Sequence, residues 1–516
     1  MARQSARLLR TTGEIADRSF AEAVTSLKKG SLVSFPTETV YGLGGNALDE
    51  SAVKKIFRAK GRPSSDPLIV HVLGWSAVTD MGLVKNTEET RPILRAAEAL
   101  AKAFWPGPLT IVLPASDRVP AAVTAGSGYV GVRSPSHPIA RRLLEESQLP
   151  VAAPSANRFG HTSPTRAEHV IADLNEGPPG SDGIGEILVM EGDGCDVGIE
   201  STVLRICHRR GTTTSGEGGE EGTGGYDLEV LRRGFIDGES ILRTLTHADK
   251  GGEKGIAEGA RLKVYARQAR SHLEAGKEGV SGQSETNKKE AEKEKSADGK
   301  EEKGGEEEGL IAPGQLLTHY APDIPAFILP SHALSSEQNE GGAAVKQVEL
   351  KKSVLLDFSG HFSSSPLFQL SNEGGEAGEG GAQQGERERK SGAECVLAYR
   401  DLSQSGNINE ASAHLFDALR WAERVEKAEA IFLPDFCALA LSSSSPLHAG
   451  NGEKEGEKDG REEDRRGGEG AKAASMYYAV YDRCFRATSG RCFAPTRQGD
   501  ELVGVIQPAT PPPSFE

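Results

Sequence analysis

Short apolar runs alternate with helical spacings from about Leu8 to Leu245. SLVSF, PLIVHV, LTIVL, YVGVR, PVAAP, EILVM, STVLRI and LEVLR are rich in Val, Ile and Leu, and several are bounded by Pro or Gly. Runs of that length and kind predict strands of a sheet buried on at least one face. Between them, SFAEAVTSLKKG and ESAVKKIFRAKG space apolar residues three and four apart, which predicts helices. Residues 8–245 therefore read as an α/β domain. A second α/β pattern occupies 326–495, with strands at SVLLDF, ECVLAYR and AIFLPDF and helices at NEASAHLFDALRWAERV and MYYAVYDRCFRATSG. No solenoid-type repeat accompanies either pattern.

Composition changes this picture in a few tracts. The chain holds 62 Gly and is only 37% hydrophobic, because Gly, Glu and Lys crowd into stretches nearly free of large apolar side chains. Such stretches bury too little surface to offset the entropy of ordering. Disorder is predicted for an insert at 209–225, for a segment spanning 246–309, and for loops near Glu337–Ala344, Asn372–Gly392 and Gly450–Gly470. Residues 310–325 then form an interdomain linker and 496–516 a tail.

The formal charge of −15 argues against non-specific nucleic-acid binding, since phosphates attract cations. A local basic cleft stays compatible with it, because the acidic excess sits largely in the same tracts. The six cysteines include no CxxC pair, favouring free thiols in a reducing compartment over a zinc site. No apolar run approaches the roughly 18 residues of a membrane helix. The opening MARQSARLLRTT, with three Arg and no acid, has a presequence-like flavour. A cytoplasmic protein is expected, a mitochondrial pool being the alternative.

The stretch SLVSFPTETVYGLGGNALDESAVKKIFRAKGRPSSDPLIVHV carries the densest chemistry. Gly42, Gly44 and Ala47 fit a loose G-x-G-x-x-A dinucleotide fingerprint after a strand; ordinary turn glycines are the alternative. Asp49 or Ser51 can cap the following helix, which must stop near Gly61 and Pro63. Lys60 and Arg62 then face one side of an extended segment, and with Arg58 they make a polyphosphate site or a solvated helix end. Ser155, Asn157 and Ser163 in PVAAPSANRFGHTSPT read as anion-binding hydroxyls and amide at a strand exit, or as turn residues. His71 is a core histidine or a ligand. Arg133 pairs a carboxylate or reaches solvent. HExxH, Walker A and GxSxG patterns are absent, which counts against zinc-hydrolase, P-loop and serine-hydrolase chemistry.

Taken together, FPTETVYGLG, KGRP, PLIVHV, WPGPLT, VGVR, APSAN, SPT, ESTV and LRRG resemble the threonylcarbamoyl-AMP synthase family (YrdC-like) in its long two-domain form. The resemblance covers nearly all of the first block. APGQLLTHYAP is similar to the linker of the long form, and the following sequence resembles its C-terminal domain more loosely. The fold this implies is a twisted mixed sheet with flanking helices and a basic concave cavity, plus a smaller Rossmann-like α/β domain. The implied activity joins L-threonine, bicarbonate and ATP into L-threonylcarbamoyl-AMP and pyrophosphate for tRNA modification. Mg2+ is implied on the pyrophosphate, though no carboxylate cluster identifies metal ligands.

By the same resemblance, Lys60, Arg62, Ser155 and Asn157 make the reaction centre. Thr37, Thr39, His71, Arg133 and Ser201 would hold threonine. Arg58, Lys60, Arg62, Asp66, Ser155, Ser163, Arg232, His319 and Tyr320 would contact ATP, the last two as a lid. A tRNA threonylcarbamoyltransferase would accept the product, and tRNA or double-stranded RNA are further candidate partners. Three departures stand out: Asp66 where the family usually has Asn, the tract at 450–475 in place of a Gly-rich signature, and the insert between Ser201 and Arg232. Rival readings are an RNA-binding or regulatory YrdC-like protein and a hydrolase of the adenylate. The complete set Lys60, Arg62, Ser155 and Asn157 favours the synthase. On this reading, Lys60→Ala or Ser155→Ala removes turnover with stability nearly unchanged.

Overall fold

Eleven strands join into one mixed sheet in the first part of the computed structural model. The structure describes residues 4–209, 225–247, 260–264, 310–312, 320–330, 345–349, 352–362, 396–443, 460–498, 501–509 and 511. The predicted inserts at 209–225, 337–344 and 372–392 lie almost wholly outside the described residues, as does His319. In sheet order the strands are Ser5–Leu9, Glu186–Met190, Val33–Phe35, Gly42–Asn46, Val151–Ala152, Ile69–His71, Tyr129–Arg133, Leu109–Pro114, Thr202–Arg209, Gly225–Arg232 and Arg261–Val264. All eight apolar runs of the first block are strands.

The helices form where the periodicity places them. Helix Ala16–Lys28 buries Phe20, Ala23, Val24 and Leu27. Helix Glu50–Lys60 starts at Asp49, whose carboxylate accepts from the amides of Ser51 (2.9 Å) and Ala52 (3.3 Å). Such a cap satisfies donors that the first helical turn leaves without partners. It ends at Gly61, where φ is 65°, a left-handed geometry that glycine adopts without a Cβ penalty. Lys60 is therefore the last helical residue and Arg62 lies just beyond the turn.

Five expectations need correction. Gly42–Asn46 is not a phosphate-cradling turn but a strand antiparallel to Val33–Phe35. Its glycines serve close packing: a Cβ on Gly44 would lie 2.7 Å from Phe35 and 2.8 Å from Val151. The basic opening segment contributes the edge strand Ser5–Leu9, parallel to Glu186–Met190, with Arg7 paired to Glu22 (2.5 Å) and Glu186 (2.9 Å). Arg261–Val264, inside the segment given to disorder, pairs with Asp227–Val230. Helix Gly460–Ala487 begins inside the tract read as a loop, and the supposed tail supplies strand Glu501–Pro508. Periodicity is a weak guide in both, because Gly and charged residues dilute it.

The second sheet runs Val345–Glu349, Glu501–Pro508, Arg491–Gln498, Ala326–Leu329, Ala430–Pro434, Ser353–Asp357, Ala398–Asp401. Its five strands from Arg491–Gln498 to Ala398–Asp401 pair in parallel, and antiparallel pairs close the other edge. Helix Ile408–Arg424 buries Leu415, Phe416 and Leu419 in that domain's core. The same helix touches the first domain: Ser412 donates to the Val197 carbonyl at 2.7 Å. A Cβ on Gly198 would sit 2.4 Å from the backbone of Ala413. The two sheets thus share a junction made by the segment preceding Glu200.

Gly44→Ala is expected to lower stability by about 1–3 kcal/mol, the usual cost of overpacking a filled core. Denaturant unfolding checks this through a lower midpoint with unchanged slope.

Candidate active site

Strand ends near the middle of the large sheet surround a cavity of about 540 Å³, counting its open mouth. Its walls include Thr37, Thr39, Gly42, Arg62, His71, Arg133, Ser155, Glu200, Ser201, Arg232 and Tyr320. All five residues assigned to threonine meet here, together with Arg62, Ser155, Arg232 and Tyr320 from the ATP set.

Strand Val33–Phe35 delivers the threonine pair through a tight turn. Thr37 Oγ1 donates to the Val40 carbonyl (2.6 Å), accepts from the amides of Thr39 and Val40 (3.2 Å each) and lies 2.9 Å from Thr39 Oγ1. Hydroxyls that stabilise their own turn present the neighbouring groups in fixed positions. Arg133 ends strand Tyr129–Arg133, donates to Thr39 Oγ1 at 2.9 Å and pairs with Glu38 at 2.7 Å. Its Nε is buried without a hydrogen-bond partner among the described residues. Burial opposes ionisation of Glu38, but the Arg133 guanidinium outweighs it and holds the carboxyl below its ordinary value. His71, in register with Arg133 on the adjacent parallel strand, packs edge-on against Phe35. Burial, reinforced by the Arg133 charge, pushes its imidazole down to about 3.

The rest of the polar lining is basic and hydroxylated. Arg62 is buried, donates to the carbonyls of Asp66 (3.0 Å) and Pro67 (2.8 Å), and pairs with the Asp66 carboxylate at 2.9 Å. Burial lowers its pKa, with Asp66 opposing the shift. The unusual acid is thus the counter-charge of an arginine rather than a free anion aimed at phosphate. Arg232 donates to the carbonyl and Oγ of Ser201, both at 3.1 Å, and Ser201 Oγ lies 2.7 Å from Thr110 Oγ1. Tyr320 is buried with φ of 64°, a conformation a bulky residue holds only when its surroundings enforce it. Its ring stacks obliquely on Phe416 of the second domain. Burial, with Glu200 nearby, pushes its phenol up to about 12.

Other predicted residues lie behind the wall. Lys60 Nζ donates to the carbonyls of Ser155 (2.6 Å) and Asn157, so it ties the Ser155 loop to the helix end. Burial, aided by the Arg62 charge, pulls its pKa well down. Asn157 Nδ2 donates to the carbonyls of Arg158 (2.6 Å) and His161 (2.7 Å). Ser163 donates to Glu200 at 2.6 Å. Lys60, Asn157, Asp66 and Ser163 therefore support the cavity without facing it. Arg58 is exposed on the helix and off the lining. Sequence reasoning passed over Glu38 and Thr110 and gave Glu200 no role, although all three stand inside motifs already quoted. The charge balance needed by buried arginines was the signal available for the two glutamates.

His161, Asp323 and Glu423 form a potential cation cluster at the domain junction, outside this lining. There His161 lies 3.0 Å from both Asp173 and Glu423.

Comparison with known proteins finds relatives of both parts of the chain. Residues 25–214 match a family model described as telomere recombination, the Sua5/YciO/YrdC model. Residues 285–442 match the threonylcarbamoyl-AMP synthase, C-terminal domain, model. A threonylcarbamoyl-AMP synthase of Bacillus subtilis is 41% identical over 258 residues, 48% of this chain and 65% of that protein. One from Vibrio vulnificus is 35% identical over 155 residues, 29% of this chain and 77% of that protein. The crystal structure of P. abyssi Sua5 complexed with L-threonine aligns with TM-score 0.52 and 26% identity, covering 94% of this chain and 97% of that one. The chain spans less than two thirds of the length of the first curated relatives it matches, 65% and 48%.

Asp66→Ala leaves Arg62 buried without its carboxylate, and a loss of about 3–5 kcal/mol is expected. Asp66→Asn, which keeps an acceptor, should cost less, as chemical denaturation would measure. The His71 ring resonances should stay unshifted in NMR titration from pH 8 to 5, because the folded ring remains neutral. An unfolded histidine titrates near 6.5, so His71 withdraws stability as pH falls through that value toward 3.

Proposed function

The chain belongs to the threonylcarbamoyl-AMP synthase family, and on that premise we propose that it converts L-threonine, bicarbonate and ATP into L-threonylcarbamoyl-AMP and pyrophosphate. The observation that carries this reading is the meeting of an amino-acid-sized polar set and a basic set in one cavity. Thr37, Thr39, His71, Arg133 and Ser201 line it together with Arg62, Ser155, Arg232 and Tyr320.

The chemistry follows from what each set offers. The threonine amine adds to carbon dioxide derived from bicarbonate, giving a carbamate and releasing water. A carbamate oxygen attacks the α-phosphorus of ATP, and the bond to the pyrophosphate oxygen breaks. In-line phosphoryl chemistry needs positioning and charge neutralisation more than covalent help. Arg133, with a buried Nε still available, receives the threonine carboxylate through a charge-assisted bond. Neutral His71 and the hydroxyls of Thr37 and Thr39 orient the rest of the amino acid without adding charge. Arg62 and Arg232 offset the negative charge that grows on the phosphoryl oxygens. Ser155, partly exposed on the lining, hydrogen-bonds the reacting centre.

Lys60 acts on this reading by anchoring the Ser155 carbonyl rather than by touching phosphate. Glu200, the carboxylate on the lining among the described residues, already accepts from Ser163 and Arg483. Mg2+ therefore enters with the ATP phosphates, as part of the substrate. The product is an activated mixed anhydride, suited to transfer onto tRNA by a threonylcarbamoyltransferase. Assignment to the nucleotidyltransferase class follows from the adenylyl transfer. No described helix is long and apolar enough to cross a membrane.

Purified protein given ATP, Mg2+, bicarbonate and L-threonine should release pyrophosphate and form the adenylate, detected by mass spectrometry. Loss of product on omitting threonine or bicarbonate is expected; product independent of either would sink the reading. Ser155→Ala should lower turnover by about two orders of magnitude at unchanged Tm. Lys60→Ala should lower turnover and also stability, by about 1–3 kcal/mol, because two buried carbonyls lose their donor. The sequence-based expectation of unchanged stability is thereby revised for Lys60.

A further inference from the structure

Helix Gly460–Ala487 belongs to the second domain, yet it sends Arg483 to the back of the cavity wall. The side chain is fully buried, and its guanidinium is shared among several acceptors. Nε donates to Glu200 Oε2 at 3.1 Å, while Glu200 Oε1 accepts from Ser163 at 2.6 Å. The NH2 group reaches the Glu200 carbonyl at 3.4 Å. The NH1 group donates to the Arg233 carbonyl at 2.6 Å and lies 3.3 Å from the carboxylate of Asp482. A planar fork can hold two backbone segments in fixed relation, which a single ammonium cannot.

The two segments it grips are the ones that carry substrate-facing groups. Glu200 precedes Ser201, and Arg233 follows Arg232. Ser201 and Arg232 are hydrogen-bonded to each other through the Ser201 carbonyl and hydroxyl. Gly234 closes the same contact, since a Cβ there would lie 2.3 Å from the Thr202 nitrogen and 2.7 Å from the Glu200 oxygen. The Arg483 guanidinium also stands 5.9 Å from the centre of the Tyr320 ring. One side chain therefore touches the acid on the cavity wall and the backbone beside Arg232, and lies over the Tyr320 ring.

We propose that Arg483 is a positioning residue by which the second domain clips together the Glu200–Ser201 and Arg232–Arg233 segments of the cavity. The inference rests on the synthase reading for its kinetic test, and on cavity geometry alone for its binding test. Without the clip, Ser201 and Arg232 lose their fixed separation, and the threonine and ATP contacts loosen together. A merely structural loss would instead lower the fraction of active protein and leave both KM values untouched.

Arg483→Met, of similar length and without charge, is the main variant, compared in the full chain with Arg166→Gln. Arg166 forms an exposed interdomain pair with Asp417 at 2.9 Å, away from the cavity. Expected are KM increases of about tenfold for both ATP and threonine in Arg483→Met, and wild-type kinetics in Arg166→Gln. Wild-type KM values in folded Arg483→Met would overturn the clip. If that variant does not fold, Arg483→Lys decides: it keeps the charge beside Glu200 but cannot also hold the Arg233 carbonyl. An intermediate KM increase supports the proposal, and wild-type values refute it. Should the wild-type protein make no adenylate, the synthase reading fails on its own. Calorimetric ATP affinity, weakened about tenfold in Arg483→Met or unchanged, then decides the clip separately.

Discussion

Burying a guanidinium is costly unless a carboxylate and good hydrogen-bond acceptors accompany it, and this constraint organises the whole cavity. Arg62 has Asp66, Arg133 has Glu38, and Glu200 has Arg483. Each pair fixes one cation or acid by a partner on its far side, leaving the near side for a ligand. The wall is therefore less positive than its arginines alone suggest. That agrees with a chain whose net charge is −15. One buried donor on the wall, Arg133 Nε, has no hydrogen-bond partner among the described residues.

The same constraint explains why the second domain matters to the first. Asp173, which accepts from His161, is also held by Arg420 of helix Ile408–Arg424 at 2.7 Å. Glu200 is held by Arg483 of helix Gly460–Ala487. Both helices thus supply the cations for acids buried in the first domain. Glycines permit the approach: Gly198 lets one helix backbone press on the segment before Glu200, and Gly234 lets neighbouring strand ends meet. Charge pairing draws the domains together, and absent Cβ atoms leave room for it.

Much of the architecture was legible in the sequence because it follows from local rules. Eight apolar runs became eight strands, Asp49 capped its helix, and Gly61 ended it. Reading failed where glycine had two explanations. Gly42 and Gly44 were read as turn glycines, with a dinucleotide fingerprint as the rival, yet they are strand residues whose missing Cβ atoms admit Phe35, Val151 and Ala153. It failed also at Ser5–Leu9, an edge strand whose partner lies far away in the chain, and at Glu501–Pro508, which pairs as a hairpin with Arg491–Gln498. Strand formation there depends on a neighbour and not on the segment's own pattern.

The site divides along the same line. The family resemblance brought Thr37, Thr39, His71, Arg133, Ser201, Arg62, Ser155, Arg232 and Tyr320 into the candidate site, and all nine line the cavity. Tertiary structure decided which polar groups face inward. Lys60, Asn157, Asp66 and Ser163 turn to carbonyls and counter-charges behind the wall, and Arg58 turns to solvent. Residue spacing dictates which groups are near one another along a helix or strand. Which of them a ligand meets depends on where distant segments supply competing acceptors, and only the packed chain determines that.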